Sequence, residues 1–441
     1  MTPHPLSVRT PWSRRLACTA LACLALAAPA LQAQLLPIAK PDEVGLSAQR
    51  LTRISEWLKA EVAQQKIPGA VVMVVRGGKV AYLDAVGQRG PGGNAPMKTD
   101  DIFRIYSMTK PIVSVAAMML VEEGRLLLDA PVARYIPAFA NVKVGLEKTD
   151  AQGKKSLELV APRRPMTVQD LLRHTSGLTY GFFGEGLVKK AYQEANISAG
   201  GDITNAEFAE RIAQMPLAYH PGSTWDYSNS TDVLGRVVEV ASGQTLYQHL
   251  KARLLDPLGM PDTSFYVPEP ARQARIAEPF ADDRVIGVNA VLNDPRAVQK
   301  MESGGGGMVS TAHDYARFLM MLRNGGQLDG KRYVSPRTVD FMTANHLDAN
   351  VLRTPLYLPG PGYGFGLGFA VRTHLGEVST IGAVGEYNWG GAGGTAMWVD
   401  PASDLFVVFM MQSPKQRVLY RPLLRNMVYG AFTDARPSAT R

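Results

Sequence analysis

The 441-residue chain has only two cysteines, Cys18 and Cys23. Both fall within its first 33 residues, so the remainder offers neither a thiol nor a disulfide and depends on its apolar core. Its seven histidines are scattered and none belongs to a His-Glu-x-x-His pair, which argues against a metal hydrolase, and His174 reads as a structural side chain before the Ser176-Gly177 turn. No serine occupies a Gly-x-Ser-x-Gly elbow, and that sets aside the α/β-hydrolase architecture. Lys79 follows Gly77-Gly78 without the spacing of a phosphate-binding loop, so no cofactor is implied. The formal charge of +8 comes from Lys and Arg dispersed among acids rather than gathered in a stripe, and nucleic acid is not an expected partner. Internal repeats and low-complexity stretches are absent too.

What the chain does have is the balance of a globular protein with a large core, 46% hydrophobic and 20% charged. Arg9, Arg14 and Arg15 precede an acid-free apolar run from Leu16 to Leu31 that ends in small residues, the pattern of a secretory signal peptide. Residues 1–33 are read as that signal, with cleavage after Ala33 preferred to cleavage after Ala30. The run is shorter than the roughly 20 apolar residues that span a bilayer, which disfavours an uncleaved anchor. Neither cysteine follows a good lipoprotein pattern. The expectation is a secreted or periplasmic protein with no membrane attachment after cleavage, of open oligomeric state.

Apolar positions recur at helical spacing from Ser47 to Lys66, and two strand-like runs, Ala70 to Arg76 and Lys79 to Val86, meet at the Gly77-Gly78 turn. Helical patterns follow from Ser107 to Glu123, Thr167 to His174, Asn205 to Gln214, Asp232 to Ala241, Thr245 to Leu255 and Thr311 to Arg323. Beyond Pro361 the period changes: Tyr363 to Val371, Glu377 to Gly382, Gly394 to Val399 and Leu405 to Met411 read as strands, before a last helix from Leu419 to Phe432. The predicted fold class is α+β, with one antiparallel sheet built from both chain ends and flanked by terminal helices. Residues 34–106 and 300–441 would form that α/β domain, residues 107–299 a mostly helical one, with the active site at their interface.

Three motifs carry chemistry. In Ser107-Met108-Thr109-Lys110, helical spacing brings a hydroxyl and an amine together, and Pro111 fits the first turn, where backbone N–H groups have no intrahelical partner. Those N–H groups and the positive helix end favour negative charge on a substrate oxygen. Such a pair also occurs by chance on a solvated surface, so its context decides. Tyr227-Ser228-Asn229, after Pro221-Gly222-Ser223-Thr224-Trp225-Asp226, supplies a tyrosine able to hold a proton and an amide able to bind a lysine or a carbonyl, although isolated it would read as a turn. Trp389-Gly390-Gly391-Ala392 lets a substrate approach the backbone closely, although it would also suit a glycine-rich strand edge.

In that order the three motifs resemble those of the serine β-lactamase and penicillin-binding-protein superfamily, and more narrowly of family VIII carboxylesterases. Arg173-His174-Thr175-Ser176-Gly177-Leu178, Gly362-Tyr363-Gly364-Phe365-Gly366 and Trp398-Val399-Asp400-Pro401 extend the likeness over most of the chain. The resemblance implies a β-lactamase-like fold and an acyl-enzyme on Ser107, with Lys110 and Tyr227 as the proton-transfer pair; which of them is the base stays open. It also implies an oxyanion hole from the N–H groups of Ser107 and Ala392, with Asn229, Trp389, Gly390 and Gly391 binding substrate. Trp389 stands where β-lactamases carry a lysine for the substrate carboxylate, so a small neutral ester, with a short acyl chain, is the expected substrate. The alternatives are a β-lactamase, D-Ala-directed peptidase or amidase using Arg417 or Lys415 as the missing cation, and a non-catalytic penicillin-binding-like protein.

Overall fold

Strand alternation organises the centre of the molecule. In the computed structural model, Gly69–Arg76 (β1) pairs antiparallel with Leu405–Met411, Ala70 opposite Met411 and Arg76 opposite Leu405. Val71, Met73 and Val75 point into one core, while Ala70, Val72 and Val74 point into another. Because both faces of β1 are covered, its sequence is an unbroken apolar run rather than an alternating one. Each fully buried large aliphatic side chain contributes about 1.5–3 kcal/mol. The structure describes residues 1–2, 35–92, 95–197, 200, 202–287 and 290–434. Apart from Met1 and Thr2, the expected signal peptide 1–33, its cleavage sites and both cysteines lie outside the described residues.

In chain order, the elements that build the site begin with helix α1 (Ala48–Ala63), β1 and strand β2 (Lys79–Gly87). Helices α2 (Thr109–Glu122), α3 (Leu187–Glu194), α4 (Ser230–Ser242) and α5 (Ala312–Arg323) follow. Strands β3 (Tyr363–Phe365), β4 (Ala370–Arg372), β5 (Tyr387–Gly390), β6 (Ala396–Asp400) and β7 (Leu405–Met411), then helix α6 (Arg417–Tyr429), complete the set. The seven strands form one antiparallel sheet ordered β3-β4-β5-β6-β7-β1-β2, drawn from both chain ends as the pattern predicts. Leu51, Ile54 and Leu58 of α1 join Tyr420, Leu424 and Val428 of α6 on one face, with Ile112 of α2 and Leu319 of α5 in the core on the other. Among the described residues, no helix is long and apolar enough to cross a membrane.

Three expectations change. The run Tyr363 to Val371 is a hairpin rather than one strand, since Gly366 and Gly368, the latter at φ +96°, turn the chain between β3 and β4. Glu377 to Gly382 is not a strand; Glu377 and Ser379 are exposed there, and the strand beside β4 is β5, which takes up Trp389 and Gly390. The helix expected from Ser107 begins two residues later, after a 3-10 turn at Tyr106–Met108. Pro111 explains that start, because its missing N–H falls in the first turn of α2. The exposed hairpin Val144–Thr149/Lys155–Val160 and helix α3 escaped the reading.

Candidate active site

Ser107 lies in the 3-10 turn, where Tyr106 adopts φ +43°, left-handed backbone that costs a residue with a Cβ about 1 kcal/mol or more. Asn293 locks the Tyr106 ring: its side-chain oxygen accepts from the tyrosine hydroxyl at 2.7 Å and its N–H donates to the same hydroxyl at 2.9 Å. Burial pushes the Tyr106 hydroxyl up to about 12, so it stays protonated as a donor. Asn293 thereby anchors the strained residue by its hydroxyl, and Ser107 lines a cavity of about 730 Å³.

Lys110 is 1% exposed. Its ammonium donates to the Gly305 carbonyl at 2.5 Å, the Tyr180 hydroxyl at 3.1 Å and Ser107 Oγ at 3.4 Å, using all three of its protons. It also sits 4.6 Å from the centre of the Tyr227 ring. Gly305 passes the arrangement on, since its N–H donates at 2.9 Å to Asp232 Oδ1, which also accepts from Ser303 Oγ at 2.5 Å. A Cβ at position 305 would lie 2.4 Å from Asp232 Oδ2, so only glycine fits between the carboxylate and the lysine. Burial raises the Asp232 carboxyl, and the charge of Lys110 opposes that rise. Burial, reinforced by Asp232, holds the Tyr180 hydroxyl well above its ordinary value, so Tyr180 keeps its proton at neutral pH.

Tyr227 precedes α4 and lines the same cavity as Ser107. Its hydroxyl accepts from Trp389 Nε1 at 3.3 Å, and its ring packs at 4.9 Å from that of His174 and 5.4 Å from that of Tyr180. Asn229 is the buried residue just before α4; its amide donates to the Thr179 carbonyl at 2.9 Å, not to Lys110, and it is not among the cavity-lining residues. His174, at φ +57°, is fully buried, and desolvation followed by the charge of Lys110 keeps its ring well below the usual imidazole range.

Trp389, Gly390, Gly391 and Ala392 line the cavity from the strand side. A Cβ on Gly391 would come within 2.3 Å of the Ile105 carbonyl oxygen, so the loop rests on the segment leading to Ser107. Thr395 Oγ1 donates to that carbonyl at 3.3 Å, and Arg421 from α6 donates to the Thr395 carbonyl at 2.8 Å and to the Gly391 carbonyl at 2.5 Å. Burial, with Arg417 beside it, lowers the Arg421 guanidinium to about 10, still cationic at neutral pH. Among the described residues, neither the Ser107 nor the Ala392 N–H has a backbone acceptor. Arg417 lines the cavity, whereas exposed Lys415 pairs with Asp282 at 2.8 Å.

Ser107, Tyr227, Trp389, Gly390, Gly391 and Ala392 thus converge on the cavity, with Lys110 bonded to Ser107 beneath the lining and Asn229 further behind, on the Thr179 carbonyl. Reading by motif missed the roles of Tyr180, Gly305 and Asp232. The run Gly304-Gly305-Gly306-Gly307 was the available signal, since consecutive glycines mark close backbone approach as well as a turn.

A family model described as Beta-lactamase matches residues 54–428. The uncharacterized protein MT1414 of Mycobacterium tuberculosis is 37% identical over 354 residues, covering 78% of this chain and 86% of that protein. Esterase EstB of Burkholderia gladioli is 34% identical over 394 residues, covering 84% and 92%. Among solved structures, EstCE1, a hydrolase with promiscuous acyltransferase activity, matches with TM-score 0.72 at 28% identity, covering 87% of this chain and 99% of that one.

Proposed function

The chain belongs to the beta-lactamase family and is a serine hydrolase of the carboxylesterase type, and from that premise we propose that it cleaves short-chain carboxylic esters through an acyl-enzyme on Ser107. The observation that carries this reading is the buried Lys110 Nζ, 3.4 Å from Ser107 Oγ and fixed there by the Gly305 carbonyl and the Tyr180 hydroxyl. A neutral Lys110 accepts the Ser107 proton as Oγ attacks the ester carbonyl, and the negative charge on the carbonyl oxygen is met by the Ser107 and Ala392 N–H groups. The proton passes to the departing alkoxide, which leaves as the alcohol. Water then repeats the attack on the acyl-enzyme, giving up a proton to Lys110 that passes to Ser107 Oγ as the acyl–oxygen bond breaks, so that the carboxylic acid leaves and free Ser107 returns. Tyr227 extends the proton path at the cavity wall, and Asn229 acts by fixing the loop that carries Tyr180.

Phe182, Phe183 and Trp389 give the cavity an aromatic wall suited to the uncharged body of a small ester. We read residues 1–33 as an export signal and the mature protein as secreted or periplasmic. A second reading, hydrolysis of β-lactams or D-Ala peptides, is favoured by one observation, that Arg417 lines the cavity and could meet a substrate carboxylate. Steady-state rates on a short p-nitrophenyl ester and on nitrocefin separate the two. The ester is expected to dominate kcat/KM, and dominant nitrocefin turnover would overturn the first reading.

A further inference from the structure

A second buried lysine lies behind the site. Lys189, on α3, is 6% exposed and donates to Thr179 Oγ1 at 2.6 Å and to the Asp226 carboxylate at 3.1 and 3.3 Å. Thr179 Oγ1 in turn donates to Asp226 Oδ2 at 2.6 Å. Each of its two partners immediately precedes a tyrosine that touches Lys110: Thr179 precedes Tyr180, and Asp226 precedes Tyr227. The Asn229 amide ties the same Thr179 backbone from α4.

Burying two opposite charges costs more in lost hydration than their attraction commonly returns, and well-packed apolar residues would often serve stability as well. A retained pair has to be accounted for by geometry, and this one joins three separate segments just where both tyrosines are placed. We propose that the Lys189–Asp226–Thr179 cluster is the positioning element that fixes the Tyr180 hydroxyl and the Tyr227 ring against Lys110. The assignment rests on the reading of Lys110 as proton acceptor for Ser107. None of the three residues lines the cavity, so they act through the tyrosines and not on substrate.

The test uses the full-length protein with a short p-nitrophenyl ester. Thr179→Val removes the hydroxyl at almost constant volume, Thr179→Ser restores it, and the double change Lys189→Met with Asp226→Asn removes both charges together. Misplacing a reacting group by a fraction of an ångström to an ångström costs up to about 100-fold in rate. Thr179→Val is therefore expected to lower kcat about 10- to 100-fold with KM within about threefold of the parent, Thr179→Ser to recover most of the loss, and the charge-free double variant to resemble Thr179→Val while still folded. Parental kcat in folded Thr179→Val would overturn the proposal, as would a loss that appears only together with a lowered Tm and is not restored by serine. Should the double variant fail to fold, the threonine pair alone decides. If the parent protein neither hydrolyses the ester nor takes a fluorophosphonate label at Ser107, the reading of the site itself falls, and the positioning assignment with it.

Discussion

The helical and strand walls of the site are built by opposite means. On the helical side, Lys110, Tyr180, Gly305 and Asp232 form a buried network beneath the lining residues Ser107 and Tyr227, with three polar contacts fixing the lysine. On the strand side, Gly391 and Ala392 offer backbone rather than side chains, held in place by Arg421, which lines the same cavity. Proton transfer needs fixed distances and a low dielectric, and the first wall supplies both. Accepting a substrate needs room and exposed N–H donors, which glycines provide because they bring no Cβ. The difference teaches that damage to the first wall should appear mainly in kcat, whereas damage to the second should divide between kcat and KM.

The largest expected effect is on the helical wall. Lys110→Met should lower kcat by about a thousandfold or more while leaving KM within a few fold, read from steady-state ester hydrolysis. A large rise in KM with kcat preserved would break the comparison, since it would make Lys110 a binding group. On the strand wall, Gly391→Ala places a methyl 2.3 Å from the Ile105 carbonyl and should displace the loop, costing about 100-fold in kcat/KM. Unchanged activity in that variant would mean that the loop does not form the oxyanion hole. Trp389→Phe keeps an aromatic surface but removes the donor to the Tyr227 hydroxyl. It should change KM by about threefold or less and sharpen the contrast with Lys110→Met.

The smallest effect lies away from both walls and serves as their reference. Burial raises the Asp314 carboxyl from 3.8 to about 7, against hydrogen bonds from Thr263. With the folded pKa above the unfolded one, the folded state holds a proton that the unfolded chain has lost. This residue's contribution is therefore full below about pH 4 and falls as pH rises toward about 7, by a few kcal/mol at most. Asp314→Asn should flatten that part of the dependence of Tm on pH and leave kcat at its parental value. An equal pH slope in the variant and the parent would remove Asp314 from the account.

The sheet was legible because its chemistry is local. Leu405 to Met411 is apolar throughout since both its faces are covered, and its ends were read to the residue. The strand β5 was not, because its alternation of Tyr387 and Trp389 with Asn388 and Gly390 spans only four residues, too short to stand out from the glycine-rich loop that follows. Within the site, Ser107, Lys110, Tyr227 and the glycine loop were legible by spacing and motif. Asp232, Gly305 and Lys189 were not, because each has partners far away in the chain, 73 positions between Asp232 and Gly305, 195 between Gly305 and Lys110 and 37 between Lys189 and Asp226. A buried acid or lysine of that kind looks in sequence like any other helix-surface charge.

The central claim, that Ser107 carries the acyl group and Lys110 takes its proton, is tested most directly by quenching the enzyme during turnover of a short p-nitrophenyl ester and measuring intact and peptide masses. One added acyl group is expected on the peptide containing Ser107, absent in Ser107→Ala and formed far more slowly in Lys110→Met. An acyl group on another residue, or acylation of Ser107 at the parental rate in Lys110→Met, would contradict it.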